Sequence, residues 1–161
     1  MNFKYLYTSF DGRINRKPFW LGAIGLFVVG LVLSLVVVGP LTAVSVSLGK
    51  ILSLLLSLIL LYPGIALCIK RLHDRDKPVG LVWVFIAPGL VYQVADLLGL
   101  ATRTMSVQGQ VVPVPTVIGT VLGLVSLVVG IWALITLGIR KGTAGPNPHG
   151  PDPLAADAPA P

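Results

Sequence analysis

Four long apolar runs constrain this chain more than any other feature. They extend over about residues 19–38, 48–69, 79–100 and 117–139. A helix rises 1.5 Å per residue, so about 20 apolar residues cross the ~30 Å hydrocarbon core of a bilayer. The only charged side chains within the runs are Lys50 and Asp96, each near a run's end. A helix packed on a water-soluble core keeps a polar face, and these runs have none. Charged residues make up 11% of the chain, against roughly 25% in a soluble domain. So few charges cannot cover a water-exposed surface. The sequence therefore predicts an all-α membrane protein of four transmembrane helices. They form one domain over 1–153, followed by a disordered Pro- and Ala-rich tail over 154–161.

The net charge is +6. Its basic residues cluster beside the apolar runs, which points to topology and anionic lipid rather than to nucleic acid. Lys4, Arg13, Arg16 and Lys17 precede the first run. Lys70, Arg71, Arg75 and Lys77 link the second and third, and Arg140 and Lys141 follow the fourth. The other side carries only Lys50 and Arg103. The positive-inside rule then places both termini and the middle link in the cytoplasm, which requires an even number of spans. The first run is expected to be a retained helix rather than a signal peptide. Eighteen residues precede it, it is long enough to span, and no small-x-small cleavage site follows. The single cysteine, Cys68, has no partner for an internal disulfide.

Phe3, Leu6, Tyr7 and Phe10 recur at helical spacing, predicting a short amphipathic helix in the membrane interface. Asn15 is the expected N-cap of the first span, and Gly39-Pro40 its expected end. Pro63-Gly64 and Pro88-Gly89 predict kinks in the second and third spans, with a shallow cavity on the inner side as one consequence. Gly119, Gly123, Ser126, Gly130 and Ala133 form a small-residue stripe for helix contact in the fourth. Residues 107–111, Val-Gln-Gly-Gln-Val, suit a small hairpin. Asp96 is expected to act at the interface or as a cap rather than in an ion path.

Three polar motifs lie outside the apolar runs, on one predicted side. They are Phe10-Asp11-Gly12-Arg13 through Arg16 to Phe19-Trp20, then Lys70-Arg71-Leu72-His73-Asp74, then Gly145-Pro146-Asn147-Pro148-His149-Gly150-Pro151-Asp152-Pro153. In this order the chain resembles the domain-of-unknown-function 805 family of bacterial inner-membrane proteins. That family carries Phe-x-Gly-Arg-x-x-Arg-x-x-Phe-Trp, Arg-Leu-His-Asp and Asn-x-x-Gly-x-Asp-Pro motifs. The resemblance covers about residues 3–153 and implies topology and an inner-membrane location, without an activity. Two departures stand out: Val79-Gly80-Leu81 replaces the usual Ser-Gly-Trp, and His149 stands where an aromatic is common.

The candidate site is therefore a cytoplasmic polar cap of Arg13, Arg16, Arg71, His73, Asp74, Asn147 and Asp152. Guanidinium forks suit carboxylate or phosphate. Asp11, Asp74 and Asp152 holding the arginines in a network is one reading. Free arginines binding an anionic lipid head or phosphorylated ligand is a second, and topology alone is a third. The motifs supply no ligand spacing for a metal and call for no cofactor. No activated nucleophile is evident either. The expected role is structural or accessory, with the bilayer, an anionic lipid, a membrane-protein partner or a second copy as partners. Alternatives are a small oligomeric transporter or channel, and a lipid-headgroup enzyme using His73 and Asp74 as an acid–base pair.

Overall fold

The computed structural model describes residues 2–107 and 110–155. Helix α1 spans Phe3–Thr8, and its N-cap Asn2 accepts a hydrogen bond from the Tyr5 amide. Helix α2 spans Arg16–Val44. Asn15 caps it, its Oδ1 accepting from Lys17 N at 3.0 Å. Helix α3 spans Val46–Asp74, α4 Leu81–Leu97 and α5 Val117–Ile139. Ser45 caps α3 and Thr116 caps α5 through their hydroxyl oxygens. Between α4 and α5, β1 (Thr102–Val107) pairs antiparallel with β2 (Gln110–Pro115), from Thr102↔Pro115 to Val107↔Gln110.

Three helices, α2, α3 and α5, are long and apolar enough to cross a membrane. Helix α4 is apolar but shorter, at 17 residues. The two-stranded sheet corrects the all-α expectation. Its strands are rich in Thr and Val, which suit a pleated chain. Pro113 and Pro115 donate no amide, and a two-stranded sheet tolerates them because each strand has an open edge.

Two predicted boundaries shift. Helix α2 runs past Gly39-Pro40 because the chain widens into a π-type turn over Ser34–Val38, where Gly39 N–H reaches Ser34 O. The wider turn relieves the clash between a proline ring and the carbonyl four residues earlier. Helix α3 continues beyond residue 69 to Asp74. Its 29 residues measure about 43 Å, more than the ~30 Å apolar core. Lys70 through Asp74 therefore form a helical extension beyond the apolar run, not a link. Both Pro63 and Pro88 lie inside helices that continue past them.

Helix α3 is the hub: it packs on α1, α2 and α4, while α5 packs along α4 and returns its C-terminal end to α2. The small-residue stripe serves for part of its length. Gly119 backs onto the Ala101 carbonyl and Gly123 faces Tyr92, whereas Gly130 has open space beside it. Toward that end Phe85 and Trp132 fill the α4–α5 gap edge to face, with centroids 5.2 Å apart. Lys50 Nζ reaches Asp96 Oδ1 at 2.9 Å and Thr102 Oγ1 at 3.1 Å, tying α3 and α4 to the hairpin and neutralising Asp96.

Helix α1 does not present all its apolar residues to the interface. Leu6 is buried against Gly22 and Leu67, while Phe3 faces outward. Gly22 has no side chain, so α1 can dock between α2 and α3. The Tyr7 hydroxyl donates to Gly22 O and the Tyr62 hydroxyl to Thr8 O. The buried cluster of Leu6, Ile14, Phe19, Leu67, Leu72, Val82 and Leu137 gathers at this end. Leu154 and Ala155 sit in a turn closed by Ala155 N to Asp152 O. The rest of the tail expected to be disordered, 156–161, lies outside the described residues.

Candidate functional site

The last carbonyls of a helix have no partner within it and carry partial negative charge. At the end where the buried cluster sits, two helices finish against protein rather than water, and cations from the α3 extension meet both. Lys70, 0% exposed, donates from Nζ to Tyr5 O at 2.7 Å, Leu6 O at 2.8 Å and Ser9 O at 2.6 Å. It thereby closes the end of α1. At the end of α5, five consecutive carbonyls accept from side chains. Arg75 Nη1 reaches Thr136 O at 2.9 Å and Arg71 Nε reaches Leu137 O at 2.6 Å. Trp20 Nε1 reaches Gly138 O at 3.2 Å, Arg16 Nη1 reaches Ile139 O at 3.4 Å, and Arg71 Nη2 reaches Arg140 O at 2.5 Å.

Asp74, one helical turn beyond Lys70, supplies the counter-charge. Its Oδ1 accepts from Arg13 Nε at 3.3 Å and Nη2 at 3.2 Å, and its Oδ2 accepts from Arg71 Nη1. Arg71 is 0% exposed, Asp74 3% and Arg13 6%. Such burial is tolerable because nearly every donor is used. Arg13 also donates to Gly145 O at 2.8 Å, Gly150 O at 3.3 Å and Thr143 O at 2.7 Å, which binds the C-terminal segment to the N-terminal one. Thr143 N in turn donates to Asp74 O at 2.8 Å. Gly142 passes so close that a Cβ there would collide with Asp74 Oδ2.

Asn147 donates to His73 O at 2.9 Å and accepts from His149 N at 2.9 Å. The His73 and His149 rings stack in parallel, 3.8 Å between centroids. His73 Nδ1 lies 3.1 Å from Gly12 O, an acceptor only, so Nδ1 carries the proton. Burial lowers the His73 pKa, the Gly12 hydrogen bond opposes that, and His149 adds to the lowering. His73 and Asp74 thus turn to different partners and do not form an acid–base pair.

Asp152 makes no ion pair with a guanidinium among the described residues. Its Oδ2 accepts from Gly145 N and its Oδ1 from Leu154 N, both at 2.9 Å, and these amides hold its carboxyl below the usual range. Of the three aspartates expected to hold arginines, only Asp74 does so among the described residues. Asp152 spends both oxygens on shaping its own loop. Among the described residues Arg16 reaches only the one long contact to Ile139. Lys70 and Trp20 lie in the sequence motifs but outside the candidate site drawn from them, and Thr143 and Gly142 lie outside the motifs altogether. Lys70 carried a signal: it lies four residues before Asp74, on the same face if the helix continues.

Apolar helices of membrane length, joined at one end by buried cations that cap them, define a helical protein whose character is consistent with a membrane protein. The chain belongs to the family of proteins of unknown function designated DUF805, which matches residues 7–151. It is similar to the uncharacterized protein YiiR of Escherichia coli, from strain K12 and from O157:H7. Each is 30% identical over 146 residues, covering 89% of this chain and 85% of the relative. No solved structure matches the chain.

Proposed function

We propose that the chain is a four-span protein of the bacterial inner membrane, with both termini cytoplasmic and a structural or accessory role. In this role the polar end is a clasp. It locks the N-terminal segment, the α3 extension and the C-terminal segment into one cytoplasmic cap, which offers its rim to anionic lipid or to a partner protein. The carrying observation is that Asp74 is shared by two buried guanidiniums whose other donors go to backbone carbonyls. That is the chemistry of a lock, with little left over for a substrate. The apolar run of α4 continues to Leu100, which supports a fourth crossing, and the ten-to-two distribution of Lys and Arg supports the orientation.

Limited proteolysis of the detergent-solubilised full chain tests the lock. Arg13→Gln and Asp74→Asn are expected to open the 142–155 segment to protease while α3 and α5 stay protected. Equal protection in wild type and both variants discards it. Reporter fusions at the C-terminus test the orientation, and a reporter active only outside the cytoplasm reverses it. Extraction from membranes by alkaline carbonate, without detergent, is the outcome that removes the membrane reading.

A further inference from the structure

Two further guanidiniums, Arg75 and Arg140, lie at the clasp end. Arg75 directly follows α3 and Arg140 directly follows α5, so both sit where membrane-length helices end. Arg75 is oriented by its Nη1 bond to Thr136 O, yet its Nε is buried with no partner among the described residues. The Arg140 side chain is exposed and makes no hydrogen bond among the described residues; its carbonyl, by contrast, is held by Arg71. No carboxylate lies within 4.0 Å of either guanidinium among the described residues. The two cations feel each other: burial first and the charge of Arg140 second lower the Arg75 pKa.

A buried donor without an acceptor, beside a second unpaired cation, is unfavourable until an anion supplies oxygens. Guanidinium forks match phosphate oxygens. At the edge of a bilayer the abundant phosphate is that of a lipid head, and basic pockets between helix ends take such heads. Trp83, in the first turn of α4 at the same end, is 61% exposed and suits the headgroup level. We propose that Arg75 and Arg140 form a clamp between the ends of α3 and α5 for the headgroup phosphate of an anionic phospholipid. This deepens the membrane reading above and rests on it. It also moves the anion site away from Arg13 and Arg71, whose donors are spent inside the clasp.

The test uses the full chain, purified in detergent and delipidated, titrated with phosphatidylglycerol, phosphatidylcholine or inorganic phosphate. Bound lipid is counted by native mass spectrometry, and thermal stability is followed in parallel. Phosphatidylglycerol is expected to bind more tightly than phosphatidylcholine, and Arg75→Gln and Arg140→Gln each to weaken it about fivefold. Lys17→Gln/Lys141→Gln, which removes two charges elsewhere on the same end, is expected to leave binding unchanged. Arg140→Gln breaks no side-chain hydrogen bond seen here, so it reports on binding rather than folding. Wild-type affinity in Arg140→Gln overturns the clamp. Inorganic phosphate that stabilises as well as phosphatidylglycerol, with the same loss in both variants, overturns the lipid as the source in favour of a soluble phosphate. Loss of the clamp with carbonate-resistant membrane residence leaves the parent reading standing, so the two failures are distinguishable.

Discussion

Along the middle of α2, α3 and α5, apolar side chains face outward: Phe27 is 68% exposed, Ile59 70% and Val128 66%. At the clasp end the arrangement inverts, and Lys70 and Arg71 are the largest side chains buried completely. In water this would be an inside-out protein. Against lipid it is consistent, since apolar surfaces lose nothing by facing hydrocarbon and backbone groups must find partners within the protein. The difference teaches where specificity lies. The apolar middle tolerates many side chains, whereas the clasp end depends on particular donors meeting particular carbonyls.

The contrast breaks most sharply at Asp74. Asp74→Ala strands two buried guanidiniums and is expected to cost about 3–5 kcal/mol, read as a large drop in melting temperature in detergent. Ile59→Ala and Val128→Ala, on the outward faces, are expected to stay within about 0.5 kcal/mol of wild type. If Ile59→Ala costs as much as Asp74→Ala, the comparison fails.

Lys70→Met keeps the bulk but removes the three bonds that close α1. It is expected to cost about 2–3 kcal/mol, because buried carbonyls lose their donor. Faster hydrogen exchange confined to residues 3–9 is the accompanying signature.

Two glycines sharpen the same contrast. Gly142→Ala drives a Cβ onto Asp74 and is expected to cost about 1–3 kcal/mol. Gly130→Ala meets nothing within 4 Å and is expected to be neutral or to stabilise α5 by up to about 1 kcal/mol, by helix propensity. Thermal denaturation of the two variants side by side measures the difference.

The smallest effect is a pH dependence with two windows. The folded state lowers the His73 pKa below 6.5, so the neutral ring stabilises the fold above that pH. That contribution is lost as pH falls through the folded pKa, when a charge appears in the stack with His149. Asp152 is lowered below 3.8, so its contribution is present above that pH and is lost only in stronger acid. Melting temperature is expected to decline mildly below pH 6.5 in wild type and to lose that first step in His73→Gln. A step of equal size in His73→Gln assigns it to another group.

Much of the fold was legible because apolar helices of membrane length write themselves in long runs of one residue class. Val117–Ile139 and the Asn15 cap follow directly from sequence. The end of α2 did not, because Pro40 normally stops a helix and only a widened turn lets it pass. At the candidate site the residue types were legible, but not the bonds they make. Arg13, Arg71 and Asp74 converge, whereas Asp152 is spent on its own loop and Arg16 reaches one carbonyl. Residue type announces that an arginine seeks oxygens without saying whose.

By itself the sequence determined the apolar character of each segment, the helical period and the charge asymmetry. These are local or summed properties, readable without knowing which helix meets which. Only the tertiary structure decided that α3 outlasts its apolar run, and that Lys70 and Arg71 serve the ends of α1 and α5. It also decided that Arg75 and Arg140 come to the clasp end with no carboxylate within 4.0 Å among the described residues. The reason is that a hydrogen bond is made at about 3 Å between groups up to 137 residues apart, and that distance exists only once the helices have packed.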